Sequence, residues 1–231
     1  MSPSLFPYES SEAFYEAALE DLQLFIKETL SEQKVCRIVL AGGSTPKPLY
    51  EMMALADFPW ERLHFTVMDE RYVPSDHEES NLKMMRRALF NKVPLSPEQV
   101  LSFDTSLPYE SAAKEMQRRI AMLQNERRPL FDLLILGAGA DGHIASLFTL
   151  SDLDNQRALC TKAEGYPSPQ RLSLGMGALS QAKKAMLLLK GQSKREIVNS
   201  LKNPSLSTPV EVISEKLPTK VYYCEIESSH T

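Results

Sequence analysis

Three short stretches hold most of the side chains in this chain that are suited to chemistry. They are A-G-G-S-T-P-K at 41–47, D-E-R-Y-V-P at 69–74 and G-A-G-A-D-G-H at 137–143. In the first, Gly42 and Gly43 make a tight turn, Ser44 and Thr45 offer hydroxyl donors, and Lys47 adds positive charge. A helix starting there would aim its free N–H groups and positive end at the same spot, which suits a phosphate or another anion. A plain strand-to-helix turn with a capping serine explains the same letters. The phosphate-loop pattern G-x-x-x-x-G-K-[ST] is absent.

The second stretch sets Asp69 and Glu70 beside Arg71. A guanidinium can fork onto phosphate oxygens, and Asp69 can accept a proton or orient a neighbour. The bland alternative is a surface ion pair, worth about 0–1 kcal/mol. In the third stretch His143 follows a glycine and comes two residues after Asp141. Imidazole titrates near neutral pH, so it can take a proton from water and return it to a leaving group. His64 lies inside an apolar strand pattern and is expected to be packed, His77 lies in a polar loop, and His230 lies in the tail. The third stretch also matches G-x-G-x-x-G through Gly137, Gly139 and Gly142, with Glu164 about twenty residues on, as a dinucleotide site asks. Against that, Thr149-Leu150-Ser151-Asp152 reads as an early break after Gly142.

Each stretch falls where a strand should end. Val35–Ala41, His64–Met68 and Phe131–Leu136 are short, apolar runs of the kind buried on both faces of a parallel sheet. A shorter strand is expected near Val100–Phe103, and further strands at Arg171–Leu174, Ala185–Lys190 and Val221–Glu225. Helical spacing predicts helices over Ser10–Leu30, Pro46–Leu55, Glu78–Phe90, Tyr109–Glu126 and Ser193–Leu201. Pro204–Pro209 reads as a surface loop. Alternating strands and helices imply an α/β fold: three layers, Rossmann-like, with a mostly parallel sheet covered by helices on both faces. In such sheets ligands bind beyond the carboxyl ends of the strands, where all three stretches converge. No repeat or composition break divides residues 1–231, so one domain is expected.

Composition narrows the partners. The 231 residues are 43% hydrophobic and 24% charged, with a formal charge of -4, so no basic stripe is available for nucleic acid. Cys36, Cys160 and Cys224 are scattered without metal-ligand spacing, which fits thiols in a reducing compartment. The polar start Met1-Ser2-Pro3-Ser4 resembles no secretory signal, and no apolar run approaches the ~18 residues a bilayer needs. A cytoplasmic protein is expected. Its size suits a monomer acting on a small molecule, away from nucleic acid and membrane.

Taken together, L-A-G-G-S-T-P-K-P-L-Y (40–50), M-D-E-R-Y-V-P (68–74), E-S-N-L-K-M-M (79–85) and F-D-L-L-I-L-G-A-G-A-D-G-H-I-A-S-L-F (131–148) resemble the hallmark stretches of the 6-phosphogluconolactonase family. R-L-S-L (171–174) and L-L-L-K-G-Q-S-K (187–194) resemble its later elements. The resemblance implies a hydrolase of the pentose phosphate pathway that needs neither metal nor cofactor and opens a phosphosugar lactone. It also implies a fold like that of amino-sugar-phosphate deaminases and ribose-phosphate isomerases. His143 would be the general base, with Asp69 and Asp141 positioning substrate or the histidine. Gly42, Gly43, Ser44, Arg71 and Lys194 would contact phosphate or sugar, with Lys47 and Arg171 beside them. Backbone N–H groups near Gly139–Gly142 are expected to stabilise the oxyanion.

Three positions depart from the family pattern. Thr149 stands where a proline is usual, Gly175-Met176-Gly177 is nearer to the deaminases, and Pro209-Val210-Glu211 replaces P-A-S. A deaminase/isomerase would carry D-E-Y and a glutamate soon after G-H-I-A, whereas Ser146-Leu147-Phe148-Thr149 holds no carboxylate. A sugar-phosphate-sensing module would carry a helix-turn-helix, for which one helix before the first strand leaves no room.

Overall fold

The computed structural model describes residues 3–126 and 129–226. The chain opens with β1 (Ser4–Tyr8), α1 (Ser11–Glu32), β2 (Cys36–Leu40), α2 (Lys47–Met53), β3 (Leu63–Val67), β4 (Asp69–Arg71), α3 (Asn81–Met85) and β5 (Val100–Leu101). It continues with α4 (Tyr109–Glu126), β6 (Phe131–Gly137), β7 (Ala158–Lys162), β8 (Gln170–Leu174), α5 (Met176–Leu179) and β9 (Ala182–Lys190). The last elements are α6 (Arg195–Lys202), α7 (Pro209–Lys216) and β10 (Thr219–Cys224).

Seven strands form one parallel sheet in the order β1-β10-β9-β6-β2-β3-β5. Alternate residues of each central strand face opposite layers, as the two-residue period requires. Ile38, Leu40, Leu133, Ile135, Met186 and Leu188 pack with α1, α2 and α3. Val39, Leu134, Leu136, Leu187 and Leu189 pack with α4, α6 and α7. This is the three-layer arrangement that the sequence predicts.

Several elements differ from expectation. A strand, β1, precedes the first helix and pairs with β10 at the sheet edge, where Pro7 is tolerated. The strand expected at Val100–Phe103 shortens to two residues. Asp69–Arg71, expected only as the end of the His64–Met68 strand, forms β4 of a second, antiparallel sheet in the order β4-β8-β7. Arg171–Leu174 is a strand, but it belongs to this small sheet. The two sheets share a seam at Met68, whose N–H donates to Leu40 O at 2.9 Å while its carbonyl accepts from Leu174 N at 2.9 Å.

The predicted loop over Pro204–Pro209 ends one residue early, because Pro209 begins α7. Thr208-Pro209-Val210-Glu211 is a capping-box pattern, with proline in the first turn, where its missing N–H costs nothing. Glu211 accepts from Ser207 N at 2.7 Å and Thr208 N at 3.2 Å. Burial opposes its ionisation, but these N–H groups together with the Ser200 and Ser207 hydroxyls outweigh it and hold the Glu211 carboxyl below its ordinary value. We therefore expect Glu211→Ala to cost about 1–2 kcal/mol in urea unfolding at pH 7. A depressed folded-state pKa stabilises above the unfolded carboxylate value and loses that effect as pH falls through the folded value. The difference between parent and variant should shrink in acid; a pH-independent difference would contradict this origin.

Candidate active site

The chain leaves β2 toward β3 on one side, while the neighbouring β6 leads to β9 on the other. This is a topological switch point, and a crevice must open beyond the carboxyl ends of β2 and β6. A cavity of about 230 Å³ lies there, lined among others by Gly42, Ser44, Asp69, Arg71, His143 and Lys194. Arg71 comes from β4, so the small sheet supplies one wall.

The loop after β2 is fixed from beneath by two phenols. Tyr50 Oη donates to Ala41 O at 2.7 Å, and Tyr15 Oη donates to Thr45 O at 2.8 Å. Gly43 has φ +98°, a left-handed conformation that glycine adopts without strain. Helix α2 starts at Lys47, one residue later than expected, and carries no side-chain cap. Lys47 turns to Glu51 at 3.5 Å and is exposed, outside the cavity lining.

The loop after β6 carries the histidine. His143 Nδ1 lies 2.7 Å from Asp141 Oδ1. A carboxylate only accepts, so Nδ1 holds a proton, and in the neutral ring Nε2 keeps its lone pair. Burial opposes ionisation of Asp141, but the charge and hydrogen bonds of His143 outweigh it, and the carboxyl sits below its ordinary value. The imidazole packs on Phe148, with ring centroids 4.8 Å apart. Gly142 has φ +84°, and Ala145, also on the cavity wall, has φ +50°. A non-glycine residue there carries about 1–2 kcal/mol of strain, a feature that clusters at functional sites. Helix α7 buttresses the loop: Val210 N donates to Gly142 O at 3.0 Å, and Thr208 packs on Gly142.

Asp69 is buried and accepts from Ser146 Oγ at 2.6 Å. Burial raises its pKa, while Ser146 and the charges of Arg71, His143 and Arg171 pull the other way. Glu70 points away from the cavity and serves the fold. Its two oxygens accept from Arg71 N, Asn81 N, Leu82 N and Ser80 Oγ at 2.7–3.0 Å, fixing the start of α3. The D-E-R stretch is therefore no surface ion pair. Arg71 Nη1 donates to Glu79 O at 2.6 Å, and Arg171 stands opposite it across the β4–β8 pair. Arg171 is buried, and its Nη1 has no hydrogen-bond partner among the described residues. Burial and the like charge of Arg71 pull its guanidinium down from the ordinary value. Burial likewise lowers the Lys194 ammonium, against the attraction of Asp141.

The structure thus gathers Gly42, Gly43, Ser44, Asp69, Arg71, His143 and Lys194 on one cavity, with Asp141 behind the histidine. Lys47 and Arg171 are outside its lining. The expectation for the oxyanion needs correction in part, because Gly139 N donates to His143 O at 2.9 Å and Gly142 N to Gly139 O at 3.1 Å. Both donors are spent inside the loop. The dinucleotide pattern loses its context, since the chain turns back after Gly142 without forming a helix. Gly175 and Gly177 admit the Gln156 and Asn155 carbonyls at distances no Cβ would allow, so the deaminase-like letters there serve packing. His64 is half-buried, His77 is exposed, and His230 lies outside the described residues. Sequence reasoning misses Asn81, Ser146, Tyr15 and Tyr50. Ser80 before Asn81 reads as a helix cap, but nothing local marks the asparagine as facing a cavity.

Among the described residues, no helix is long and apolar enough to cross a membrane. The family model for glucosamine-6-phosphate isomerases/6-phosphogluconolactonase matches residues 9–222. A 6-phosphogluconolactonase of Thermotoga maritima is 34% identical over 204 residues, which is 88% of this chain and 90% of the relative. One of Synechocystis is 31% identical over 211 residues, covering 88% of this chain and 87% of the relative. The crystal structure of 6-phosphogluconolactonase from Thermotoga maritima is similar with a TM-score of 0.86 at 30% identity, over 97% of this chain and 100% of that one.

Proposed function

Since this chain belongs to the glucosamine-6-phosphate isomerase/6-phosphogluconolactonase family, we propose that it hydrolyses 6-phospho-D-glucono-1,5-lactone to 6-phosphogluconate with His143 as general base. The observation that carries the reading is the His143–Asp141 pair at 2.7 Å on the wall of a cavity that also holds Arg71 and Lys194. Nε2 takes a proton from water, and the hydroxide oxygen bonds to the lactone carbonyl carbon. Asp141 stabilises the imidazolium so formed, as a carboxylate behind a catalytic imidazole does. The tetrahedral intermediate collapses by breaking the bond to the ring oxygen, which takes the proton back from Nε2. One water is consumed and the histidine is regenerated.

Arg71, Lys194 and the Gly42–Ser44 turn supply donors and positive charge for the phosphate and the sugar hydroxyls, with Asp69 as an acceptor among them. Arg171 contributes charge from outside the lining, whereas the charge of Lys47 is turned to Glu51. Residues 1–231 act as one domain, a cytoplasmic monomer that takes a small phosphosugar and not nucleic acid. The test is hydrolysis of freshly generated lactone by purified protein, with glucosamine 6-phosphate offered alongside. Lactone turnover above the spontaneous background is expected. Ammonia release from glucosamine 6-phosphate without lactone turnover would replace this reading by a deaminase.

A further inference from the structure

Asn81 is only 3% exposed, yet its amide forms part of the cavity wall. Its main chain is clamped at the start of α3, where its N–H donates to Glu70 Oε1 at 2.7 Å. Its side-chain Nδ2 donates to Asp69 O at 2.8 Å and leans on Asp69 Oδ1 at 3.4 Å. Ser146 Oγ donates to the other carboxylate oxygen, Oδ2, at 2.6 Å. The carboxylate thus meets two donors, one from the start of α3 and one from the loop after β6. Oδ2 is engaged strongly, whereas Oδ1 has only the longer contact and keeps accepting capacity, and Asp69 lines the cavity. Gly42 completes the arrangement, because a Cβ there would lie 2.1 Å from Asn81 Oδ1. The amide occupies the room that the glycine leaves.

We propose that Asn81 is a positioning residue that orients the Asp69 carboxylate so that Oδ1 accepts a hydrogen bond from a hydroxyl group of the substrate. This inference rests on the lactonase reading above. A carboxylate accepts and does not donate, so the site selects a hydroxyl donor at that point. The contact exists in the bound ground state and persists through the reaction, so its loss raises KM and leaves kcat nearly unchanged. A residue that acted on His143 would change kcat instead. A residue that merely stabilised the fold would lower the thermal midpoint without coupling to Asp69.

The experiment compares the parent, Asn81→Ala, Asp69→Asn and the double variant for kcat, KM and thermal midpoint, using 6-phosphogluconolactone. Asn81→Ser is included because it fills more of the site if the alanine variant fails to fold. The expected result is a rise in KM of about ten- to hundredfold for either single change, the range for a hydrogen bond to a charged group. The double variant should be no worse than Asp69→Asn alone, since Asn81 acts through that carboxylate. Multiplying losses in the double variant, or an unchanged KM in the Asn81 variants, would overturn the proposal while the parent's turnover stood. No turnover by the parent would overturn the lactonase reading and the proposal with it.

Discussion

Lactone hydrolysis by the His143→Ala variant is expected to fall by about 10²–10⁴-fold, toward the spontaneous rate, with the fold intact. That range is what a positioned general base contributes. The substitution removes the one imidazole on the cavity wall. Asp141 then loses the imidazole and keeps only the His143 backbone N–H, at 3.3 Å, of the two hydrogen bonds that residue 143 gave it. The side chain is 21% exposed and belongs to neither hydrophobic cluster, so the thermal midpoint should move little. Initial rates of acid release, corrected for the uncatalysed reaction at each pH, would measure the effect. KM should stay within a few-fold, because the base meets the attacking water and not the phosphate end. A variant within tenfold of the parent would mean that water is activated elsewhere.

A single methyl group at Gly139 should do nearly as much damage from the other side of the pair. A Cβ there would lie 2.2 Å from His143 Cε1 and Nδ1 and 2.4 Å from Asp141 Oδ1. Ordinary contacts of this kind are longer than 3.4 Å. The ring and the carboxylate must therefore move apart by an ångström or more, and misplacement on that scale costs about 10²-fold in rate. Gly139 is not among the residues with positive φ, so alanine meets no backbone strain and the protein should fold. The expected result for Gly139→Ala is a kcat about 10²-fold below the parent with a far-UV spectrum and thermal midpoint close to it. Parent-like kcat would show that the 2.7 Å contact between His143 and Asp141 is dispensable.

The central strands were legible because burial on both faces favours apolar letters: all but Arg37 of Cys36–Leu40 and all but Asp132 of Phe131–Leu136 read as continuous apolar runs. The cavity residues were legible because they follow those runs, at the ends where a parallel sheet opens. What escaped depended on distant partners. Asp69–Arg71 is three polar residues long, and its pairing with Arg171–Ser173 lies a hundred residues away. Ser4–Tyr8 is an edge strand with one side open, so neither its alternation nor its proline announced it. Helix α7 did carry a local signal in Thr208 and Glu211, hidden by the serines and prolines before it. Asn81 had none, since its part depends on Gly42 and Asp69 meeting it in space. Lys47 shows the reverse case: charge in a suggestive stretch, spent on Glu51 one turn along its own helix.

Met68 is the only residue between β3 and β4, and it is hydrogen-bonded into both sheets at once. A catalytic wall joined to its neighbour by one doubly anchored residue is held in register with the large sheet, so Asp69 and Arg71 are placed against the loops after β2 and β6. In a hydrolysis water is the second reactant, so such a wall has only one molecule, the sugar, to orient, and the solvent supplies the other.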